Sequence, residues 1–177
     1  TLAVLLLLIS LFETTQAAYL PSDGGKTLHI IMYHSILKDP ARTGKYVVTP
    51  AQLKADFEYL RKHGYTSVLP RDLVKYAKGE ANLPEKCVML TFDDGYYNNL
   101  LYLLPLLEEY SFNALISVVG KFPRLYTDSG DKNPNYAHLS YDDIRLLDAS
   151  GKIEIGNHTY DMHKLEPIRG SGRKKGE

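Results

Sequence analysis

Short apolar runs alternate with segments of helical period along most of the chain. Four apolar runs are typical of buried strands, and a shorter one, "YTSVL", is a fifth candidate; the four cover residues 28–34, 86–92, 112–120 and 152–158. The segments between them predict helices, over residues 49–64, 70–79, 98–110 and 140–151. This alternation of strands and helices is typical of βαβ units around a parallel sheet.

Local signals predict where several helices begin. Thr49 and Gln52 predict a capping box at the start of the first helix, and Ser140 is a cap for the last one. Pro105 is expected either to kink the third helix or to begin a second one. The polar segment at residues 121–137 contains two prolines and a glycine, and it is expected to be loop.

The first residues form a separate apolar segment. Residues 2–12 are apolar except for Ser10, which is short for a membrane span of about 20 residues. The run suits a signal peptide, and small residues at 14–18 offer a cleavage site. We therefore expect export to the outside of the cell or its outer face. Residues 1–18 are the expected signal peptide or membrane anchor, and residues 19–27 a linker; a core helix is the remaining alternative.

Charge and composition narrow the function classes. The chain has 21 basic and 21 acidic residues, so no overall field attracts nucleic acid, and no nucleic-acid partner is expected. The basic cluster at residues 169–175 is interpreted as solvated loop. Cys87 is the single cysteine, so no internal disulfide can form, and its apolar neighbours predict a buried position. The sequence leaves the oligomeric state open.

Polar side chains stand at the ends of three predicted strands. Asp93 and Asp94 follow one strand, His158 ends another, and His34 ends the first. The carboxyl ends of parallel strands share one face of an α/β fold, and active sites lie on that face. Two adjacent carboxylates can be held there if a cation compensates their charge.

A metal ion is one candidate for that cation. His158 and His163 are five positions apart, and on a turn both imidazoles can reach one ion. With Asp94 they form a ligand set suited to zinc or a similar divalent ion, which leaves Asp93 as a general base. The residues alone keep a second interpretation open, in which the acidic pair belongs to a turn and the histidines are a strand-end and a loop residue.

Three stretches resemble motifs of one enzyme family. "VMLTFDDGYYNN" resembles the first motif of the polysaccharide deacetylases, the NodB-homology family of carbohydrate esterases. "IEIGNHTYDMH" looks like their second motif, and "IMYHSI" is similar to an N-terminal segment of several members. The resemblance implies a distorted (β/α) barrel and metal-dependent removal of acetyl groups from N-acetylated sugars.

The resemblance also implies roles for single residues. By motif position, Asp93 is the catalytic base, and Asp94, His158 and His163 bind a divalent metal, zinc first, with cobalt, nickel or manganese as alternatives. The spacing of the two histidines is similar to that of the branch acting on poly-N-acetylglucosamine. The implied partner is therefore an N-acetylglucosamine-containing polysaccharide of the cell wall or the extracellular space.

Later motifs of the family have no counterpart here. No residue matches the family's base-orienting arginine or its C-terminal histidine acid, and a whole barrel needs roughly 200 residues. Residues 28–84, which precede the first motif, are expected to be an extension packed on the barrel. Residues 85–177 are expected to be the first part of the NodB-homology domain, with its C-terminal part missing. His34 could replace the acid, although a structural role is favoured, and His138 is expected in a loop.

Aromatic side chains near the motifs are candidates for sugar binding, because their apolar faces suit sugar rings. Tyr96, Tyr97 and Tyr160 flank the motifs, and with His34 they are the predicted substrate-binding residues. Two other functions stay open. One is a truncated, non-catalytic protein that binds metal or glycan without the acid. The other is a glycosidase using the adjacent carboxylates, ranked low because that reaction separates them by about 5 Å or more.

Overall fold

The computed structural model describes residues 27–162 and the backbone of residues 166–167 and 174–175. Its strands are β1 (Leu28–Tyr33), β2 (Ser35–Ile36), β3 (Val47–Val48), β4 (Thr66–Ser67), β5 (Cys87–Phe92), β6 (Ala114–Val118), β7 (Ile153–Asn157), β8 (Glu166–Pro167) and β9 (Lys174–Lys175). Its α-helices are α1 (Pro50–Lys62), α2 (Pro70–Ala77), α3 (Leu104–Tyr110), α4 (Phe122–Ser129) and α5 (Tyr141–Ala149). A 3₁₀ turn covers Pro40–Arg42, and a π-helical turn covers Asn99–Leu103.

The predicted signal peptide at residues 1–18 lies outside the described residues, as does all of the predicted linker except its last residue. Within residues 27–162, none of the helices has the length and apolar character that a bilayer crossing requires.

A parallel sheet with the strand order β1-β5-β6-β7 forms the centre of the molecule, and β4 also pairs with β5. At the carboxyl ends of the strands, Tyr33 of β1 lies beside Phe92 of β5, and Val118 of β6 lies beside Asn157 of β7. The predicted parallel α/β fold is therefore confirmed. Residues 28–84 contribute β1 and β4 to this sheet, so they share it with the strands of the later motifs.

The core lies where α1 and α3 pack against the sheet. Leu53, Phe57 and Leu60 recur at helical spacing on α1, and all three are buried. The ring of Phe57 meets that of Phe112 edge-on, with 5.3 Å between the ring centroids. Cys87 is completely buried, as its apolar neighbours predict. Burial of a large apolar side chain stabilises the fold by about 1.5–3 kcal/mol, so this face holds α1 in place.

Two predicted caps are formed as the sequence indicates. The hydroxyl of Thr49 accepts the backbone N–H of Gln52 at 3.1 Å, and the Gln52 side chain accepts the N–H of Thr49 at 2.8 Å. Ser140 and Asp143 form the same reciprocal pair at the start of α5. Each box satisfies backbone donors that a helix start would otherwise leave unpaired.

Pro105 begins a second helix, which is one of the two predicted alternatives. Proline has no N–H, and its ring excludes an α-helical bond to the residue four positions earlier, here Leu101. The chain makes a π-helical turn before this point, and Leu104 N–H donates to the carbonyl of Asn99. The proline then lies in the first turn of α3, where its missing donor costs nothing.

The prediction of a loop throughout residues 121–137 is wrong, because α4 lies within it. Pro123 is in the first turn of α4, where proline is tolerated. Gly130 ends the helix in the left-handed conformation, with φ of 68°. Both residues are helix-end signals here rather than breakers.

Candidate active site

One cavity opens at the carboxyl ends of the sheet strands. It has a volume of about 430 Å³. Three sheet strands deliver side chains to it, because β1, β5 and β7 end at the same edge of the sheet. The described residues that line it are Met32, His34, Tyr46, Asp93, Asp94, Tyr96, His158 and Thr159.

A sharp turn after β5 brings both carboxylates to this cavity. In an extended strand, neighbouring side chains point to opposite faces. Asp94 instead has a φ of 70° and Gly95 a φ of 68°, both in the left-handed region. Aspartate is one of the few residues with a side chain that enters this region readily. Because the backbone reverses at Asp94, Asp93 and Asp94 line the same cavity.

The glycine of this turn is required by both conformation and space. A β-carbon added at Gly95 would lie 2.8 Å from Cγ1 of Val118, the last residue of β6. No side chain fits at that distance, so the turn can pack on β6 only with glycine. The sequence Asp93-Asp94-Gly95 is therefore a structural unit as well as a pair of carboxylates.

His158 is held by the end of the neighbouring strand. Its backbone N–H donates to the carbonyl of Val118 at 2.8 Å, which extends the pairing of β6 and β7 by one residue. Thr159 follows with a φ of 65°, and its carbonyl accepts the N–H of Gly120 at 2.9 Å. Lys121 adds an ion pair to Asp161 at 3.2 Å. The loop after β7 is thus fastened to the loop after β6.

Asp94 and His158 meet in the cavity. Oδ1 of Asp94 lies 3.6 Å from Nε2 of His158, and their side chains are 13% and 31% exposed. This separation is longer than a hydrogen bond. Two ligands about 2.0–2.2 Å from one tetrahedral zinc ion stand about 3.3–3.5 Å apart, so the pair fits a shared ion. Carboxylate oxygen and imidazole nitrogen are also ligand types that zinc accepts.

The predicted third ligand, His163, lies outside the described residues. Among residues 27–162, no group of three or more histidine, cysteine, aspartate or glutamate side chains is arranged to hold a metal ion. The three-ligand set therefore stays a prediction, of which the structure brings two members together.

Tyr96 borders Asp94 on the wall of the cavity. Burial raises the pKa of its phenol, and the neighbouring carboxylate of Asp94 raises that pKa further. A tyrosine whose pKa is raised stays protonated near neutral pH, so its hydroxyl remains a hydrogen-bond donor. Tyr96 thus presents a neutral polar group beside two acids.

The predicted substrate-binding residues divide into two groups. His34 and Tyr96 line the cavity. Tyr97 and Tyr160 are not among its described lining residues: Lys132 lies over the ring of Tyr97 at 5.5 Å, and Tyr160 is 71% exposed. The ring of Tyr160 lies above Gly120, where an added β-carbon would come within 3.2 Å of Cδ2.

Three lining residues were not found by sequence reasoning: Met32, Tyr46 and Thr159. Tyr46 lies between the first predicted strand and the first predicted helix, and the pairing of β2 with β3 brings it to the cavity. There its ring packs on that of His34, with 4.7 Å between centroids. The alternation of β1 could have indicated Met32, because it stands two positions before His34.

The chain is similar in sequence to known proteins. The sequence model of the family described as "Polysaccharide deacetylase" matches residues 80–175, more than half of the chain. The chain is 29% identical to YxkH of Bacillus subtilis (strain 168), whose name places it among the polysaccharide deacetylases, over 88% of this chain and 50% of YxkH. It is 28% identical to the poly-beta-1,6-N-acetyl-D-glucosamine N-deacetylase of Escherichia coli (strain K12), over 75% of this chain and 20% of that protein.

Solved structures show the same fold. A de-N-acetylase from Aggregatibacter actinomycetemcomitans superposes with a TM-score of 0.73 and 26% identity, over 84% of this chain and 61% of that one. IcaB from Ammonifex degensii superposes with a TM-score of 0.66 and 27% identity, over 85% of this chain and 59% of that one.

The chain spans half or less of the length of the curated relatives it matches. The predicted distorted (β/α) barrel of the deacetylase type is confirmed by the solved structures. On the family match, this chain belongs to the polysaccharide deacetylase family.

Proposed function

We propose that this protein is a metal-dependent hydrolase that removes N-acetyl groups from an N-acetylglucosamine-containing polysaccharide. The observation that carries the proposal is the meeting of Asp94 and His158 at 3.6 Å, in a cavity that Asp93 also lines. Family membership supports the reaction type. The Escherichia coli relative, named for poly-beta-1,6-N-acetyl-D-glucosamine, supports the substrate class.

In this proposal Asp94 and His158 hold a divalent cation, with His163 as the predicted third ligand. Zinc suits the two described ligands best, and cobalt, nickel and manganese are the alternatives. Such a cation would polarise the acetyl carbonyl and lower the pKa of a water molecule. The small exposed fraction of Asp94 supports a ligand role, because a buried carboxylate needs a compensating charge.

Asp93 is the proposed general base. It shares the cavity with Asp94, and its backbone N–H is fixed by a 2.9 Å hydrogen bond to the carbonyl of Tyr33. In this role its carboxylate would take the proton of the attacking water. The amine that leaves must then receive a proton. In this proposal His34, which lines the same cavity, supplies it.

The wall beside His34 suits a sugar. Tyr46 is 48% exposed and packs its ring on His34. Tyr96 offers a second ring and a protonated hydroxyl. Aromatic rings meet the C–H faces of pyranose rings, and the hydroxyls satisfy polar groups. We propose that the polymer lies across this wall. Because such polymers occur outside the cell, we also propose that the protein acts there or on the outer face of the cell.

The test is acetate release by the full-length protein from chitooligosaccharides, poly-N-acetylglucosamine and peptidoglycan. We expect release from at least one of the three, its loss after chelation, and its return when zinc is added. Asp93→Asn serves as the control, because it keeps the proposed metal ligands and removes the proposed base. The absence of acetate from all three substrates in the zinc-loaded protein would refute the proposed reaction. Release that continues after chelation would refute the metal requirement alone.

A further inference from the structure

We infer that His138 is a positioning residue that fixes the turn carrying Asp94. The inference rests on the proposed function, because it concerns how the metal ligand is oriented. His138 was expected in a loop, yet the structure pairs it in an antiparallel bridge with Tyr96 and buries it to 9% exposure. It lies outside both family-like motifs, in the segment between α4 and α5.

The imidazole of His138 reaches the backbone of the metal-ligand residue. Nδ1 of His138 lies 2.9 Å from the carbonyl oxygen of Asp94. A carbonyl can only accept, so Nδ1 carries the hydrogen and donates it. This bond holds the peptide plane between Asp94 and Gly95. The carbonyl carbon and the side chain of Asp94 are attached to the same Cα, so a fixed peptide plane restrains the direction of the side chain.

Two aromatic rings set the orientation of the imidazole. The Phe122 ring is 3.9 Å from it and inclined by 23°, and the Tyr96 ring is 4.6 Å from it and inclined by 24°. Two nearly parallel rings cannot share one face, so His138 lies between them. Its nitrogen is thereby aimed at Asp94 by packing that leaves the ring little freedom to rotate.

Backbone hydrogen bonds on both sides of His138 also connect its segment to the turn that contains Asp94. Leu139 N–H donates to the carbonyl of Gly95 at 2.9 Å, and Tyr97 N–H donates to the carbonyl of Ala137 at 2.8 Å. The residues before and after His138 are therefore both hydrogen-bonded to the segment that contains the turn. The two backbone bonds fix the turn after Asp94, and the imidazole adds a side-chain contact to the backbone of Asp94 itself. A ligand must be held to within about 0.5 Å for tight metal binding, and we infer that the His138 contact contributes to that restraint.

The experiment separates the effect of the hydrogen-bond donor of His138 from the effect of its flat ring. His138→Phe keeps a flat ring between Tyr96 and Phe122 and removes the donor. His138→Asn returns an N–H donor near the position of Nδ1, and His138→Leu is the matched variant of similar size without a donor. His29→Phe is the control, since His29 also packs against a tyrosine ring, at 5.7 Å from Tyr65, away from the cavity.

Zinc affinity of the full chain, measured by competition with a chelating dye, is the first readout. We expect His138→Phe to bind zinc about tenfold more weakly or worse, as residues that orient ligands do. His138→Asn should bind within about threefold of the parent and more tightly than His138→Leu, and His29→Phe should match the parent. Parent-like affinity in His138→Phe, or equal affinities in the Asn and Leu variants, would overturn the inference. If the Phe variant does not fold, the Asn and Leu pair decides, since both lose the ring.

The second readout needs no metal. The amide nitrogen shift of Gly95 in the NMR spectrum reports hydrogen bonding at the preceding carbonyl of Asp94. It should move in His138→Phe and His138→Leu and stay near the parent value in His138→Asn. An unmoved shift in the Phe and Leu variants overturns the positioning role. A parent protein that binds no zinc contradicts the proposed metal site instead, and the Gly95 shift then decides the positioning role alone.

Discussion

His158 and Asp94 lie 3.6 Å apart, Nε2 to Oδ1, although 64 positions separate them in the sequence. Parallel strands make this meeting possible, because β5 and β7 flank β6 and all three end at one edge of the sheet. The turn at Asp94 and the extension of pairing to His158 then aim both side chains at the same cavity.

Neighbouring carboxylates should have different roles, and one substitution at each position separates them. Asp94→Asn should weaken zinc binding by about a hundredfold or more, because residues that only orient ligands already contribute 10- to 100-fold. Asp93→Asn should bind zinc like the parent and lose acetate release by about a hundredfold or more. Isothermal titration and an acetate assay on the same preparations measure both quantities. Equal zinc affinities in the two variants would show that the roles are not divided in this way.

Tyr46 should contribute to substrate binding. Its exposed ring packs on His34 at the cavity, so Tyr46→Ala should raise KM for acetylated oligosaccharides several-fold and change kcat little. Tyr59→Ala is the matched control, because Tyr59 is also exposed and also packs on a histidine, His63, but on α1. Steady-state kinetics on a soluble oligosaccharide would measure the difference. A similar KM in both variants would place the sugar elsewhere.

Two adjacent buried asparagines should respond to the same substitution with opposite sign. Asn98 accepts the N–H of Ile36 at 3.0 Å and donates to Ser35 at 2.9 Å and to the carbonyl of Pro134 at 3.0 Å. Among the described residues, neither side-chain polar atom of Asn99 has a hydrogen-bond partner. Asn98→Leu should therefore lower the free energy of unfolding by about 2–4 kcal/mol.

Asn99→Leu should raise the free energy of unfolding by about 1 kcal/mol, because it removes a buried polar group without a partner and keeps its shape. Urea unfolding of both variants beside the parent is the measurement. A destabilised Asn99→Leu would mean that a buried water satisfies the amide, since native proteins commonly pair such groups in that way.

The buried carboxylate of Asp143 should make the free energy of unfolding depend on pH in the acidic range. Burial opposes its charge, but the hydrogen bonds from Ser140 and the ion pair with Lys132 outweigh that effect and lower the pKa of Asp143 below its ordinary value of 3.8. A group whose pKa is lowered on folding contributes stability above its unfolded pKa, and this contribution is lost as the pH falls through the folded value. The loss is therefore expected below about pH 4.

Asp143→Asn tests this dependence. It should lower the free energy of unfolding by about 1–2 kcal/mol at neutral pH, and the difference from the parent should shrink as the pH falls below about 4. Asp142→Asn is the control, because Asp142 is 84% exposed in the same helical turn. A difference that stays constant across this range would exclude the charge of Asp143 as its cause.

Signals that are local in the sequence predicted most of the fold. Strands β1, β5, β6 and β7 follow from apolar runs, the capping box at Thr49 follows from side chains three residues apart, and Ser140 is predicted as a cap. Helix α4 does not follow from the sequence, because Pro123 and Gly130 are typical of loops, although the same residues also suit the first turn and the end of a helix.

The sequence predicts the site residues that directly follow strand ends. It does not predict those that reach the site through pairing with distant segments. Asp93, Asp94 and His158 each stand one or two positions after a strand. Tyr46 reaches the cavity through the short pairing of β2 with β3, and His138 reaches Asp94 through its bridge to Tyr96. No local pattern marks such contacts, because they depend on residues more than ten positions away.

The last bond between β6 and β7 runs from the N–H of His158 to the carbonyl of Val118. Side chains alternate along a strand, so a slip of one residue between these two backbones would turn the imidazole to the far side of the sheet. The proposed site therefore requires β6 and β7 to pair in the correct register, without a shift of even one residue. In a variant that lets β7 shift, we expect the proposed metal site to be lost while most of the molecule stays folded.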